Sequence, residues 1–575
     1  MKTKEILTIV LIIAAAIYFT INSRKQMKKI ENNYEEVVGD PLKARIYTLD
    51  NGLKVYLTSY ADAPRVQTNI AVRAGSKHDP SDATGLAHYL EHMLFKGTDI
   101  YGTLDYDKEA PMLKNIENLY EEYRSIDMDD VENRDRVWKK IDSISNEAAK
   151  FAIANEYDKM VSGLGAKGTN AYTSNEKTVY INDIPSNQIE RWLKLEAERF
   201  RAPVFRLFHT ELETVYEEKN RTLDNDGRKM FEALLDGLFP NHQYGQQTTI
   251  GTIEHLKNPS LLEIRKYFNK YYVPNNMAIC LSGDFDYDQT IRLIEKYWGG
   301  FEKKEDPIFE VIKEDPIESP IVREVYGPEA ERLYIGFRFD GVNSDDAKML
   351  TMVDMVLSNS TAGLIDLNLN QKQELIGGGC FPYVLEDYSM HGFYGTPKSG
   401  QELEEVKDLL LEQIEEVKKG NFPDWLVEAI ISDLKLNQIK KLETNSGRAN
   451  EFVEAFTLGV SWSDFQNEMN ELEKITKQDI IDFVNANYSD NYVVVYKRNG
   501  EDNSIRNVTK PTITPVTVNR KDQSDFLKNL LAEESSNIDP VFLDFSKDIK
   551  RSAIRDVELI YKQNTENERF KLDYI

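Results

Sequence analysis

Residues 268–284, FNKYYVPNNMAICLSGD, share a plan with residues 484–500, VNANYSDNYVVVYKRNG. Each follows a helical segment (LLEIRKY, TKQDIID), turns through polar residues and enters an apolar strand. A second pair matches in the same way. RLYIGFRFDG followed by the helical DAKMLTMVDMVLS mirrors TNIAVRAGS followed by GLAHYLEHML. A repeat of this size limits the fold strongly, because two copies of one αβ unit must each bury a sheet. With 575 residues the chain is too long for one hydrophobic core in any case. The reading is an α+β chain of two homologous domains, about 30–305 and 306–500, each an antiparallel-rich sheet covered by helices. Where the first unit carries histidines, the second carries Met352, Asp354 and Met355, and no metal-ligand set is expected there.

Within the first unit, ARIYTLDNGLKVYLTSY reads as strand, Asn-Gly turn, strand. Residues 104–160 are charged and helical in period, an insertion of about 100–162. TNAYTSNEKTVYINDI returns to β, and NQIERWLKLEAERF and HTELETVYEEKNRTLDN are helices. Residues 501–550, including VTKPTITPVTVNRKD, lack periodicity and read as a linker. The last residues, IRDVELIYKQNTENERFKLDYI, resemble the opening of a further repeat at 551–575. Phe570, Leu572 and Tyr574 alternate there like a half-buried strand. Two strands without a covering helix cannot bury their own apolar face, so the expectation is a unit cut short.

The N-terminus carries a location signal. ILTIVLIIAAAIYFTI is an unbroken apolar run after Lys2 and Lys4, with Arg24, Lys25, Lys28 and Lys29 behind it. Residues 1–29 read as a signal peptide or membrane anchor, which points to export, to a bacterial periplasm or cell envelope, or to a membrane tether. Basic residues on both flanks leave an anchor with a cytoplasmic body open. A net charge of −26 argues against nucleic acid as partner. Cys280 and Cys380 build no disulfide framework and read as packing residues.

The chemistry concentrates in GLAHYLEHMLFKGT, residues 85–98. Residues four apart share a helix face, so His88 and His92 can converge on one ion. Imidazole suits Zn²⁺, and a catalytic zinc takes three protein ligands and keeps one position for water. Glu91 lies beside that face, too close in sequence to be an easy third ligand and well placed to take a proton from water. The third ligand is sought in FHTELETVYEEKN, which offers Glu211, Glu213, Glu217 and Glu218. Glu211 and Glu218 are seven apart and nearly on one face, whereas Glu217 points about 100° away. Glu218 is read as ligand and Glu211 as the carboxylate that holds a histidine N–H. Without the histidines this acidic helix would read as a solvated face.

These residues, together with TNAYTSNEKTVY and YYVPNNMAICLSGDFD, resemble the pitrilysin and insulin-degrading-enzyme family of inverzincin peptidases, which includes the mitochondrial processing peptidases. The resemblance covers roughly residues 45–500. It implies αβ domains in pairs, two pairs closing into a chamber around a peptide, zinc on His88, His92 and Glu218, and Glu91 as base. It also implies that Asn170 and Ala171 lie on an edge strand that pairs with substrate backbone. The 125 residues between His92 and Glu218 exceed the family's spacing, and the helical insertion accounts for the excess. No match stands out for the Arg and Tyr that active members draw from the partner half. The function expected is a zinc endopeptidase acting on peptides or unfolded small proteins, with a second half or a dimer partner closing the chamber. The alternatives are a scaffold or substrate-binding subunit and a dedicated precursor-processing peptidase.

Overall fold

A computed structural model describes residues 31, 33–61, 63–502, 512–517, 519–540, 542, 544–565, 567 and 569–573. The apolar run expected to be a signal or anchor lies outside them. Among the described residues no helix is long and apolar enough to cross a membrane.

Strands β1 (Tyr34–Glu35), β2 (Arg45–Thr48), β3 (Lys54–Ser59), β4 (Arg65–Val72), β5 (Lys167–Thr173), β6 (Thr178–Pro185) and β7 (Met277–Gly283) form one sheet in the order β1-β2-β3-β7-β4-β6-β5. Strands β8 (Ile321–Gly327), β9 (Arg332–Asp340), β10 (Gly377–Val384), β11 (Tyr388–Thr396) and β12 (Tyr492–Asn499) form a second, in the order β10-β11-β9-β12-β8. The two follow one topology. β7 enters parallel to β3, with Val55 opposite Ile279, and β12 enters parallel to β8, with Val494 opposite Val322. The neighbouring pairs β4–β7 and β9–β12 are antiparallel in both. The internal repeat read from the sequence is therefore a repeat of strand order.

The helices that position the site are α1 (Leu86–Met93), α2 (Tyr106–Ser125), α3 (Val131–Ala149), α4 (Glu156–Gly163), α5 (Phe208–Leu223), α6 (Asp226–Leu238), α7 (Asp345–Leu357), α8 (Asn445–Thr457) and α9 (Asp525–Ala532). Leu86, Leu90 and Met93 of α1 enter the same core as Val55, Leu57 and Ile70 of the first sheet. The opposite face of that sheet is covered from the second half, by Phe452, Val453 and Phe456 of α8 against Tyr56, Ala71 and Ala278. The exchange is reciprocal, since Met230, Leu234 and Leu238 of α6 cover Val325, Val493 and Val495 of the second sheet. Central strands buried on both faces read as continuous apolar runs, and β7 is buried at every residue.

The insertion is helical, as expected. Tyr120 of α2 and Val137 and Ile141 of α3 share a core with Phe208 and Leu212 of α5, so the insertion buttresses the helix that carries Glu211 and Glu218. The segment expected as a linker contains α9. Leu527 and Leu530 are buried with Tyr101, Tyr157 and Met160, and Phe526 stacks on Tyr101 at 5.6 Å. Eight residues are too short a window for periodicity to reveal. At the C-terminal end β13 (Lys550–Ile554) and β14 (Val557–Tyr561) form a hairpin. Among the described residues the alternating segment beyond it is not a strand and has no strand alongside, and Phe570 and Leu572 are exposed; Tyr574 lies outside the described residues.

Candidate metal centre

The helix α1 begins abruptly. Gly85 caps it at φ +87°, and a Cβ there would stand 2.6 Å from the Ile250 carbonyl oxygen. The buried Asp79 carboxylate accepts from Gly85 N at 2.7 Å and Ala87 N at 2.9 Å, which fixes the first turn. Burial pushes the Asp79 carboxyl up to about 8, against those hydrogen bonds.

One turn on, His88 and His92 present their Nε2 atoms to each other at 3.3 Å. Glu218 Oε2 from α5 completes a triangle, 3.5 Å from His88 Nε2 and 3.6 Å from His92 Nε2. Glu217, on the other side of α5, is exposed. Three donor atoms 3.3–3.6 Å apart match the edges of a tetrahedron whose bonds are about 2.0–2.1 Å, the lengths zinc makes to imidazole and carboxylate. Two imidazole nitrogens at 3.3 Å also need a proton or a cation between them. The donor set fits zinc.

Around the triangle the hydrogen bonds are directional. His92 Nδ1 lies 2.8 Å from Glu211 Oε1, which leaves Nε2 as the lone-pair atom. Lys96 pairs with the other Glu211 oxygen. Burial would raise the Glu211 carboxyl, but His92 and Lys96 outweigh it and hold it below the ordinary range. Burial, then His92 and Arg228, depress His88 to about 3. His92 moves the other way, because Glu211, Glu218 and Glu91 outweigh its burial. Glu91 is buried, and that burial raises its carboxyl although Thr173 Oγ1 donates to Oε2 at 2.6 Å.

Thr173 ends β5, the outermost strand of the first sheet. Asn170 and Ala171 pair with Ile181 and Tyr180 of β6 on one side of it. Asn170 is exposed and Ala171 half-buried, so the open edge of β5 runs toward the carboxylate of Glu91. A cavity of about 180 Å³ beside Thr173 is lined by Asn175, Arg228, Phe231, Tyr244 and Tyr383.

Sequence reasoning named the metal triangle and Glu211. It missed Lys96, four residues past His92 within the same stretch, and Thr173 and Asp79, whose spacing from the motif gives no signal. It also expected no ligand set in the second half. The structure brings Asp354, Cys380 and His391 together there, while Cys380 also packs against the second core, as read from the sequence. They come from three separate elements, so no local spacing could announce them.

Two family models match the chain. Insulinase (Peptidase family M16) matches residues 54–115 and 144–251, and Peptidase M16 inactive domain matches residues 260–434. The chain belongs to the pitrilysin and insulin-degrading-enzyme family. The unmatched residues 116–143 lie within the helical insertion. Human insulin-degrading enzyme is 26% identical over 308 residues, 52% of this chain and 25% of that enzyme. The chain thus spans about a quarter of the length of the insulin-degrading enzymes it matches. A Bacillus subtilis protein named uncharacterized zinc protease YmxG is 22% identical over 70% of this chain and 85% of its own length. Among solved structures, a protease from Helicobacter pylori superposes with a TM-score of 0.65 at 19% identity, over 79% of this chain and 99% of that one. The periplasmic protease PqqL from Escherichia coli gives 0.60 at 14% identity, over 92% of this chain and 56% of that one.

Proposed function

We propose that the chain is a zinc-dependent endopeptidase for peptides or unfolded small proteins. The observation that carries this reading is the triangle of His88 Nε2, His92 Nε2 and Glu218 Oε2, with the buried Glu91 held beside it by Thr173. His88, His92 and Glu218 would hold the zinc, which when bound supplies Lewis-acid polarisation. Glu91 takes the proton of the attacking water and returns it to the leaving amine; its raised carboxyl suits it to both directions. Glu211 accepts from His92 Nδ1–H and keeps the ring oriented. The edge of β5 at Asn170 and Ala171 receives the substrate as an added strand. The domain limits in this reading are 30–305, which carries this centre, and 306–500.

Likeness to PqqL, of which this chain covers 56%, supports a further pair of domains or a second copy as the opposite wall of the site. That neighbour's periplasmic description and the apolar run at residues 6–21 support export. Peptide digestion read by mass spectrometry, with and without a chelator, tests the function. Internal cleavage that stops with chelator and in Glu91→Gln is expected. Turnover by Glu91→Gln equal to the native rate would leave the base unassigned, and absence of any cleavage by the zinc-loaded chain would favour a scaffold.

A further inference from the structure

A second set of side chains with mixed ligand chemistry lies in the other half. Asp354 on α7, Cys380 on β10 and His391 on β11 offer a carboxylate oxygen, a sulfur and an imidazole nitrogen, all within 4.8 Å of one another. His391 Nε2 is 3.2 Å from Asp354 Oδ1, and its Nδ1 is 2.7 Å from the Tyr488 hydroxyl. Cys380 Sγ is 3.5 Å from the Asp354 carbonyl oxygen. The location matters too. α7 packs over β10 and β11 as α1 packs over β5 and β6, so the cluster lies under the helix that corresponds to α1 in the second repeat.

A buried histidine between a tyrosine and an aspartate is an ordinary way to satisfy an imidazole, and that pair alone would carry nothing. Two observations go further. A thiol stands beside the pair, where hydrogen bonding requires no third group. Among the described residues the carboxylates of Asp354 and Asp366 also have no basic partner but His391, beside Asp354. Asp354 and Asp366 are both largely buried, and among the described residues neither has a lysine or arginine within ion-pair distance. Asp366 is held by Asn359 N at 2.8 Å instead. A divalent cation would take the carboxylate, sulfur and imidazole as ligands, the thiol losing its proton on binding.

We propose that Asp354, Cys380 and His391 form a second metal site, taking a divalent cation of borderline softness, zinc foremost. Sulfur, nitrogen and oxygen donors together suit zinc, and the 3.2 Å separation of Nε2 and Oδ1 equals a tetrahedral edge at about 2.0 Å bonds. Tyr488 supplies the partner for Nδ1–H that a ligating histidine needs. The ion would tie α7 to the β10–β11 hairpin. This inference stands apart from the proposed peptidase function, because none of its residues is shared with the first centre.

The test loads the chelator-stripped full chain with cobalt(II). A cobalt–thiolate bond gives a near-ultraviolet charge-transfer band, and the first centre has no sulfur donor, so the band reports the second site alone. The band is expected in the native chain, retained in the His88→Ala/His92→Ala double variant and in Cys280→Ser, and lost in Cys380→Ser. Asp354→Asn keeps an acceptor for His391 and is expected to weaken cobalt binding at this site at least tenfold while folded by circular dichroism. Cobalt uptake without a thiolate band, a band that survives Cys380→Ser, or undiminished affinity in folded Asp354→Asn would overturn the proposal.

Discussion

Lys77→Met removes the ion that joins the two halves next to the site. The Lys77 side chain is 1% exposed, and Nζ lies 2.7 Å from Glu386, 2.9 Å from Asp387 and 3.2 Å from Glu176. Glu386 and Asp387 form the β10–β11 turn of the second half. Glu176 sits in the β5–β6 turn, just past the Thr173 that holds Glu91. Methionine keeps the length of the side chain but loses the ammonium, whose Nζ lies 4.9 Å from the centre of the Phe309 ring and 5.7 Å from that of Tyr244, so the change is one of charge. Breaking a buried pair by removing one partner costs about 3–5 kcal/mol. Burial pushes the Asp387 carboxyl up, but His242 and Lys77 reverse this and hold it at about 2, from an ordinary 3.8. That depression is worth roughly 2–3 kcal/mol, and His242 and Lys77 both contribute to it. Burial already raises Glu176 above its ordinary value despite Lys77, so without the lysine it takes up a proton and its share is capped. The expected loss is about 3 kcal/mol at pH 7, at the lower end of that range. A carboxyl whose folded value is depressed contributes stability that is full above its unfolded value and lost as the pH falls through its folded one. The deficit of Lys77→Met should therefore shrink as the pH falls from about 4 to about 2. Urea unfolding followed by tryptophan fluorescence at pH 7 and pH 3 measures it. A deficit below about 1 kcal/mol at pH 7, or equal deficits at the two pH values, refutes the reasoning.

Thr173→Val keeps the shape at the end of β5 and removes the donor to Glu91. A hydrogen bond to a charged group is worth about 1.5–3 kcal/mol, so kcat should fall at least tenfold with KM nearly unchanged, measured on one cleaved peptide. Glu218→Gln should lose most bound zinc, while Glu217→Gln on the exposed side of α5 should keep it; metal analysis of the dialysed proteins ranks the two. Gly85→Ala forces a side chain into the left-handed region and onto the Ile250 carbonyl, at a cost of roughly 2 kcal/mol or more, read from the thermal midpoint together with loss of zinc as α1 shifts.

Much of this protein was legible from local pattern. The spacing of His88, Glu91 and His92 is a property of one helix, and Glu211 and Glu218 are separated by nearly two full turns of another. Local geometry alone therefore set which side chains share a face. The repeat of strand after polar turn, from 268 and again from 484, corresponds to one strand order used twice, because each copy must bury the same kind of sheet. Tertiary structure decided everything that joins residues distant in sequence. It brought α5 to α1 so that Glu218 faces the two histidines, and it aimed Thr173 at Glu91. It exchanged α6 and α8 between the halves, which no domain boundary drawn along the chain can express. It also gathered Asp354, Cys380 and His391 from a helix and two strands. The physical reason is common to all of these. A helix or strand period fixes the direction of a side chain within its own element, whereas the partner it meets is fixed by which apolar faces pack together, and many pairings of such faces are compatible with the same periods.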